Sequence, residues 1–448
     1  MRRLFVLLSV SGFIVGIFAG EISRFRIGTG GYYRTNPKVC TERHVIEMKD
    51  AGIDFVSDVE ISNRLFLDLL HKHGLSAVAL RGVGYWCGGN GSRAGKMSEI
   101  YPRAKYENQI RALEDGLDHP AIMGHMLSDE PSAKDMEYIG EIASLMKMRM
   151  PDKLVYVNLY PCYASVDENT SSQKTSQLGC DSYEEHIEIY CRTIPLDYIS
   201  FDHYPYFEKD EITLAKLPRY YGNFKTVADA CHRTGRALWY DPQVNSRTGS
   251  SRFLSRNNLR FQAGVAMAFG AETLVWECWC PGWWTNNVYT ANGDKTEQYD
   301  KLRDINHELR SIAADYMRFR NVATHFIGDW PRQKDLAQYG IKPVMRYDGG
   351  FFRHLGTTDG TPVLVGEMVS RKECDSSRAL WVFASNNPVD TQCDSHVIRF
   401  ECAAKSVKVL RPYGTVQCPR NSDGVYSFAL NDNAYALIVV DGKKGNER

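Results

Sequence analysis

One pattern repeats from about residue 24 to residue 320: an apolar, β-branched or aromatic run, a turn, and then apolar residues at helical spacing. The runs predict strands at residues 25–33, 53–60, 75–86, 121–131, 153–161, 197–207, 236–246 and 272–284. Gly52 and Gly74 follow two of the helical stretches and suit the left-handed position past a helix end. Eight alternations over about three hundred residues predict an α/β fold, a (β/α)8 TIM barrel.

A doubly wound parallel sheet is the alternative arrangement of alternating strands and helices. That fold would need a glycine-rich phosphate loop that leads from the first strand into a helix. The run from Gly28 to Gly31 is rich in glycine, but Tyr32, Tyr33 and Pro37 follow it instead of a helix start. The dinucleotide fingerprint is therefore absent, and the barrel is preferred.

The pattern changes near Phe326, after which short strands alternate with glycine and asparagine turns. The predicted strands are residues 363–367, 380–385, 397–401, 407–411, 425–429 and 434–440. Such a tail predicts a small antiparallel β-sandwich domain. We therefore expect a catalytic barrel at residues 21–325 and a C-terminal β-sandwich domain at residues 326–448.

The amino terminus predicts the destination of the chain. Arg2 and Arg3 precede an apolar stretch from Leu4 to Ala19, which is short for a membrane span and typical of a signal peptide. We expect a signal peptide at residues 1–20, cleaved near Ala19 or Gly20, in preference to an uncleaved anchor. The mature protein would be secreted, periplasmic or extracellular, with no membrane contact after cleavage.

Twelve cysteines in an exported chain raise the possibility of disulfide bonds. Four of them lie in the C-terminal region and allow three pairings: Cys374, Cys393, Cys402 and Cys418. A disulfide bond is expected there, whereas the cysteines of the barrel are compatible with buried thiols. No C-x-x-C pair occurs, which argues against a zinc ribbon.

Charge and aromatic content narrow the function further. The chain has 54 basic and 54 acidic residues, which argues against a nucleic-acid partner and a polybasic membrane protein. Aromatic residues make up 12% of the chain. This content is typical of surfaces that bind carbohydrate, and also of aromatic cores.

The working face of a TIM barrel lies at the carboxyl ends of its strands, so the strand ends give a list of candidate site residues. Acids lie at the ends of strands four, six, seven and eight: Glu130, Asp202, Asp241 and Glu277. Glycoside cleavage requires two such carboxyl groups, one to protonate the leaving oxygen and one to act as nucleophile or base. Each single acid could instead cap a loop or pair with an arginine inside the barrel.

Aromatic and amide side chains at the same ends are candidates for substrate binding. Flat rings can stack on sugar rings, and Asn, His and Gln can bind sugar hydroxyls. The predicted substrate-binding residues are Trp86, Asn158, Tyr160, His203, Tyr204, Asp241, Gln243, Trp276, Trp279 and Trp283. For the tryptophans, a role in packing the core is the alternative.

Three short motifs resemble clan A glycoside hydrolases, in particular the family 42 β-galactosidase type of exported bacteria. They are residues 121–131, which end in Ser128-Asp129-Glu130-Pro131, residues 201–205, Phe-Asp-His-Tyr-Pro, and Phe269-Gly270-Ala271-Glu272 with Trp276. The sandwich tail also resembles the small domain that follows such barrels. The resemblance implies a hydrolase of O-glycosidic bonds in a polysaccharide or oligosaccharide.

By that resemblance Glu130 is the catalytic acid and base. Members of the clan carry the nucleophilic glutamate at the end of strand seven, but this sequence has Tyr240-Asp241-Pro242-Gln243 there. The candidates for the second carboxylate are Glu277, ranked first because Trp276 and Trp279 flank it, then Asp202 and Asp241. Retention or inversion of the anomeric centre stays open.

Two other functions compete with a glycosidase. A glycan-binding barrel without catalysis would explain the missing strand-seven glutamate. A metal-dependent barrel hydrolase is disfavoured, because His71 and His73 fall on the second helix and not at the end of strand one. We expect a carbohydrate substrate, no cofactor and no metal, and the sequence leaves the oligomeric state open.

Overall fold

A computed structural model describes residues 24–31, 37–88, 93–164, 177–206, 216–246, 250, 252–282, 284–384 and 394–442. Its first part is a closed barrel of eight parallel strands, which confirms the predicted fold class. The barrel strands, called strands one to eight here, are Arg26–Thr29, Phe55–Glu60, Ser76–Leu80, Ile122–Asp129, Leu154–Leu159, Tyr198–Asp202, Ala237–Asp241 and Ala271–Trp276. Pairing of strand three with strand four closes the ring. The predicted signal peptide lies outside the described residues.

A helix follows every barrel strand and packs on the outside of the ring. These helices are Glu42–Asp50, Arg64–Lys72, Arg103–Ala112, Met136–Arg149, Tyr183–Thr193, Leu217–Thr234, Arg256–Ala268 and Glu297–Tyr316. A two-residue strand, Trp86–Cys87, and a short helix, Met97–Ile100, precede the third of them. Gly52 and Gly74 have φ of +76° and +69°, so both end their helices in the left-handed position that the sequence predicted.

The second part of the chain is an antiparallel β-sandwich, as predicted. One sheet has the strands Phe319–Ile327, Val363–Ser370, Arg378–Ala384, Tyr435–Val440, Lys408–Arg411 and Gly414–Gln417, in that order. The other has Arg353–Thr357, Ser395–Glu401 and Val425–Asn431. The domain boundary expected after residue 325 falls inside the first strand, because the antiparallel sheet already begins at Phe319. A helix at Gln333–Gln338 was not expected from the sequence.

The barrel and the sandwich share one apolar core. Trp381, on the large sheet, is fully buried and donates a hydrogen bond of 3.0 Å from Nε1 to the carbonyl of Gly264 in the seventh barrel helix. A Cβ atom at Gly264 would meet the ring of Phe383 at 2.6 Å, so glycine permits the close approach of helix and sheet. The opposite face of the large sheet packs on the small sheet through a second apolar cluster.

All eleven described cysteines are free thiols, including Cys374, Cys402 and Cys418. Cys393 lies outside the described residues, so the disulfide expected in the C-terminal region finds no support among the cysteines that the structure describes. None of the described helices is long and apolar enough to cross a membrane.

Candidate active site

Six carboxyl groups converge at the mouth formed by the carboxyl ends of the barrel strands. We call them the acid cluster: Asp58 on strand two, Asp129 and Glu130 at the end of strand four, Asp202 on strand six, Asp241 on strand seven, and Glu277 after strand eight. None of the ion pairs between described residues includes a member of the acid cluster. The four acids expected from the sequence are therefore brought together, with two more beside them.

Local backbone geometry aims two of these acids into the mouth. The pairing of strands two and three slips between Val56 and Val59, so a β-bulge carries Asp58, whose φ is +60°. Glu130 also has a left-handed backbone, with a φ of +46°, one residue past strand four. Bulges redirect side chains, and strained non-glycine residues concentrate at functional sites, so both positions fit a functional role.

The negative charge of Asp129 acts on every other member of the acid cluster. Its carboxylate contributes to the raised pKa of Asp58, Glu130, Asp202, Asp241 and Glu277. Burial raises its own pKa, although hydrogen bonds from the Asn158 amide at 3.4 Å and the Tyr85 hydroxyl at 3.4 Å oppose the shift. Like charges this close cannot all ionise, so the acid cluster shares protons near neutral pH.

The pKa of Glu130 is raised well above its ordinary value, first by burial and then by the carboxylates of Asp202 and Asp129. The backbone N–H of Glu130 donates to the carbonyl of Asn158 at 2.9 Å, which fixes the residue to the end of strand five. Burial and like charge both favour the protonated form of this carboxyl group. It can therefore donate a proton, which is what a general acid must do.

Asp202 is the carboxylate outside strand four whose charge acts on Glu130. Burial raises the pKa of Asp202 to about 8, the charge of Asp129 adds to this shift, and hydrogen bonds from the Asn158 and Tyr204 side chains oppose it. The Asn158 amide nitrogen lies 3.3 Å from Asp202 and 3.4 Å from Asp129. One amide thus holds the acids of strands four and six together, and Asn158 has a structural contact with both.

Asp241 is held from inside the barrel. The buried hydroxyl of Tyr156 on strand five donates to its two carboxylate oxygens at 3.2 and 3.0 Å, and the Ser200 hydroxyl lies at 3.4 Å. Burial and the charge of Asp202 raise the pKa of Asp241 well above its ordinary value. The strand-seven acid is thus tied to the barrel interior.

Glu277 reaches the mouth because strand one has a glycine beside it. A Cβ atom at Gly30 would lie 1.8 Å from Oε1 of Glu277, so any larger residue would displace the carboxyl group. Burial raises the pKa of Glu277 well above its ordinary value, and the charges of Asp58 and Asp241 add to the shift. Gly30 in the glycine-rich run therefore makes room for an acid.

Three of the predicted sugar-binding tryptophans are core residues, and the prediction is wrong for them. Trp86, Trp276 and Trp279 are all 0% exposed. Their indole N–H groups bond to Asp135, Asn306 and His44, respectively. Trp276 and Trp279 therefore form no sugar-stacking wall beside Glu277, because their faces are covered by the outer helices. Trp283 lies outside the described residues.

Three polar candidates are also buried. Gln243 is fully buried and bonds to backbone groups, accepting from Tyr206 and donating to Asn245, so its predicted contact with substrate is wrong. His203 donates from Nδ1 to the amide oxygen of Asn223 at 2.8 Å and packs between Tyr163 and Tyr220. Tyr160 is buried, and the charge of Glu130 contributes to its raised pKa, so it lies beneath the catalytic candidate.

The accessible aromatic side chains of the mouth are partly different from those predicted. Tyr85, Tyr163, Tyr204 and Trp284 are half-buried. Tyr204, a predicted residue, contacts Trp284 edge to face with 5.3 Å between ring centroids. Tyr163 was not predicted from the sequence. Burial raises the pKa of its hydroxyl, and the charges of Asp202 and Glu130 add to the shift. These rings, and not the buried tryptophans, can face a ligand.

Asp58 and Asp129 were also missed as site residues. Each stands in a mostly buried barrel strand, and an acid in such a strand is the signal that could have identified both. The described residues contain no group of three or more His, Cys, Asp or Glu side chains arranged to hold a metal ion. The acid cluster is therefore a set of mutually close carboxyl groups without metal-site geometry.

The fold and the position of the acid cluster define an eight-stranded α/β barrel with acids at the carboxyl ends of its strands, followed by a β-sandwich. The sequence matches no protein-family model and no curated protein. In three dimensions the chain is similar to a catalytic mutant of Gan42B, a GH42 β-galactosidase from G. stearothermophilus. The TM-score is 0.58 at 9% identity, over 94% of this chain and 98% of that one.

It is also similar to a cold-adapted β-galactosidase from Rahnella sp. R3, with a TM-score of 0.52 at 11% identity, over 94% of this chain and 99% of that one. The chain spans only 61% of the β-galactosidase from the psychrophilic Marinomonas ef1, at 12% identity over 65% of this chain and a TM-score of 0.47. At these identities the comparisons establish the fold that the sequence motifs implied.

Proposed function

We propose that this protein is a glycoside hydrolase that cleaves an O-glycosidic bond in a polysaccharide or oligosaccharide. One observation carries the proposal: the desolvated carboxyl of Glu130 lies at the catalytic mouth with Asp202 beside it. Two neighbouring carboxyl groups that share protons can supply the acid and the base that glycoside cleavage requires. The β-galactosidase activity of the structurally similar proteins supports the same class of reaction.

In this mechanism Glu130 protonates the glycosidic oxygen as the bond to the sugar breaks. The positive charge that develops on the sugar ring is stabilised by the ionised members of the acid cluster. Release of the proton leaves a negative charge on Glu130, which increases the repulsion within the acid cluster and favours the protonated forms of its neighbours. The acid cluster thus changes its protonation state together with the substrate.

Asp202 is the favoured second carboxylate because its charge acts directly on Glu130. Glu277 is the next candidate, since the charges of Asp58 and Asp241, on another part of the barrel, raise its pKa. This order reverses the one from the sequence, which placed Glu277 first because of two tryptophans that prove to be buried. Asp241 is the weakest candidate, because Tyr156 holds both of its oxygens.

Substrate binding is assigned to the half-buried rings of Tyr85, Tyr204 and Trp284. Such rings stack on the apolar faces of sugars, while the hydroxyls of Tyr85 and Tyr204 stay fixed on Asp129 and Asp202. The basic and apolar amino terminus supports a secreted or periplasmic location for the enzyme.

A glycan-binding barrel without catalysis is the second candidate. The specific observation in its favour is Asp241, which stands at the strand-seven position and accepts hydrogen bonds from the Tyr156 hydroxyl at both carboxylate oxygens. In that case the acid cluster would bind sugar hydroxyls and would not cleave the glycosidic bond. Binding of glycans by the parent protein without hydrolysis distinguishes this function from a glycosidase.

The first test replaces Glu130 with glutamine and measures hydrolysis of a panel of aryl glycosides and of plant and mucin glycans. Because general acid catalysis contributes about 10²- to 10⁴-fold, we expect Glu130→Gln to lower kcat/KM by that factor, with sugar binding retained. Glu137→Gln, an exposed acid on the next helix, is the matched control and should change nothing. If the parent protein binds these glycans without cleaving them, the glycosidase proposal fails and the glycan-binding function remains.

The second test separates the candidates for the other carboxylate. Asp202→Asn and Glu277→Gln are assayed on an activated aryl glycoside with and without sodium azide. If a carboxylate acts as nucleophile, azide can take the place left by its removal, so we expect azide to restore turnover to Asp202→Asn. If azide restores turnover only to Glu277→Gln, the nucleophile is Glu277.

A further inference from the structure

A second groove lies outside the mouth of the barrel, between the seventh and eighth barrel helices and the sandwich. Its upper part has a volume of about 700 Å³ and is lined by Phe253, Arg256 and Lys301, among others. Its lower part has a volume of about 290 Å³ and includes Asn431 and Tyr435 of the sandwich. Asn257 and Arg260 line both parts, so the two are continuous. Ligand sites are common at such junctions between domains.

The floor of the groove is rigid and polar. Arg260 binds both oxygens of Glu308 at 2.9 and 2.7 Å, and its remaining nitrogen donates to Asn257 at 2.8 Å. The hydroxyl of Tyr435 donates to Glu308 at 3.1 Å. A guanidinium, a carboxylate, an amide and a phenol are thereby fixed side by side. They form a row of donors and acceptors for sugar hydroxyl groups. Because the row is already ordered, binding a sugar does not have to immobilise these side chains.

Tyr413 provides an exposed aromatic ring next to Pro412, which lines the lower part of the groove. It is 71% exposed at the turn of the hairpin formed by Lys408–Arg411 and Gly414–Gln417. Its backbone N–H donates to Ser311 of the eighth barrel helix at 3.3 Å, and its side chain lies within the charge field of Glu308 and Arg260. The ring is therefore accessible beside an ordered polar row, where it can stack on a sugar.

Three of the four basic side chains that line the groove form ion pairs, and the fourth basic residue is Arg252. Arg256 pairs with Asp304 at 2.8 Å, Arg260 pairs with Glu308 at 2.7 Å, and Lys301 pairs with Glu297 at 2.5 Å. An anionic ligand would have to compete with these carboxylates for the same cations. An uncharged ligand rich in hydroxyl groups can bind the row without breaking any ion pair.

The groove also leads towards the catalytic mouth. The backbone N–H of Val244 donates to the carbonyl of Glu277 at 2.7 Å, and Ser246 donates to the carbonyl of Arg252 at 2.7 Å. Val244 therefore contacts the main chain of Glu277, and Ser246 contacts Arg252, which lines the groove. A polymer bound at the mouth can extend past Ser246 to Arg252 and into the groove.

From this arrangement we propose that the groove between the seventh and eighth barrel helices and the sandwich is a second carbohydrate site, which binds an uncharged polysaccharide chain with Tyr413 as its stacking platform. The choice of a polysaccharide as occupant rests on the proposed glycosidase function. Binding in the groove does not itself require cleavage. Its role is to hold a polymer beside the mouth and raise its effective concentration there.

Affinity electrophoresis of the full chain tests the proposal, in gels that contain soluble galactan, galactomannan, arabinoxylan or mixed-linkage β-glucan. We expect at least one of these polymers to retard the parent protein. Tyr413→Ala should weaken the affinity at least about tenfold because the stacking surface is lost, while Tyr413→Phe should retain it. Asn257→Ala should also weaken it. Val416→Ala is the matched control, because Val416 is exposed on the same hairpin, and it should bind like the parent.

Thermal unfolding of each variant shows whether a loss of binding reflects a loss of folding. The proposal is overturned if none of the four polymers retards the parent, or if Tyr413→Ala and Asn257→Ala are retarded as strongly as the parent. Stronger retardation by polygalacturonate than by every uncharged polymer also overturns it. A parent that is retarded through Tyr413 but hydrolyses none of the glycans would refute the glycosidase and leave the groove site intact.

Discussion

At the scale of single residues, the electrostatics of the mouth depend on Asp129. Its carboxylate raises the pKa of the five other members of the acid cluster, and it does so from the residue next to Glu130. A carboxyl that must donate a proton at neutral pH needs such a neighbour, because burial and like charge both favour its protonated form.

This arrangement predicts the pH dependence of an Asp129→Asn variant. Glu130 donates a proton only while protonated, so activity falls as the pH rises through its pKa. Removing the charge of Asp129 lowers that pKa, and we expect the alkaline limb of the kcat/KM profile to move to lower pH. Asp115→Asn, at an exposed position on the side of the barrel, should leave the limb in place. An unmoved limb in Asp129→Asn would argue against Glu130 as the acid.

The residue scale also shows where sequence reasoning succeeded and failed. Glu130, Asp202, Asp241 and Glu277 could be predicted because the barrel rule places strand ends at one mouth. Trp276 and Trp279 could not be sorted into core or surface, because the helices that cover them, through Asn306 and His44, are distant in sequence. Asp58 was missed because a β-bulge, invisible in the pattern, turns it into the mouth.

At the scale of elements, the strand Ser395–Glu401 of the small sheet is joined to two loops by one histidine. His396 bonds through Nδ1 to Asp359 at 2.8 Å and through Nε2 to Asp432 at 2.8 Å. Burial alone would lower the pKa of His396, but the two carboxylates outweigh it and raise the pKa. Burial likewise opposes the shift of Asp359, and the bond from His396 helps to lower the pKa of that carboxyl to about 2.

These shifts predict how a His396→Asn variant loses stability with pH. The raised pKa of His396 contributes stability below its ordinary value of about 6.5, and this contribution is lost as the pH rises through the folded-state pKa. The lowered pKa of Asp359 contributes stability above a pH of about 3.8, and this contribution is lost as the pH falls through about 2. We therefore expect the largest destabilisation near pH 5.5, about 2 to 3 kcal/mol for charged hydrogen bonds, and a smaller one at pH 9.

Chemical unfolding at the two pH values measures the difference. His354→Asn is the matched control, because His354 forms a pair with Asp348 at 3.0 Å in which both side chains are 55% exposed. Such a surface pair contributes about 0 to 1 kcal/mol. A loss in His396→Asn that is equal at both pH values would show that the histidine acts by packing alone.

At the scale of the whole molecule, the barrel and the sandwich are connected by buried apolar surface and not by a linker. Trp381, Phe383 and Tyr435 of the large sheet belong to the same apolar core as the barrel helices. The groove proposed as a second carbohydrate site lies along this junction, so its shape depends on the two parts staying fixed to each other.

The shared core predicts cooperative unfolding. Trp381→Ala should destabilise the protein by about 3 to 5 kcal/mol, because it removes a fully buried indole and its bond to Gly264. Calorimetry should show one transition for the parent, and the barrel and the sandwich should both melt earlier in the variant. Val416→Ala removes an exposed side chain of the same sheet and should have little effect. Two separate transitions in the parent would refute a shared core.

The sequence by itself determined the order of strands and helices, the closed barrel, the sandwich and the positions of four acids at strand ends. These follow from local periodicity and from a rule that holds for every barrel of this kind. Only the tertiary structure decided which aromatic faces are accessible, that Asp58 and Asp129 join the acid cluster, and which carboxylate neighbours Glu130. Exposure and charge interaction depend on what distant segments place against a side chain, and neither is encoded in the spacing of residues along one strand.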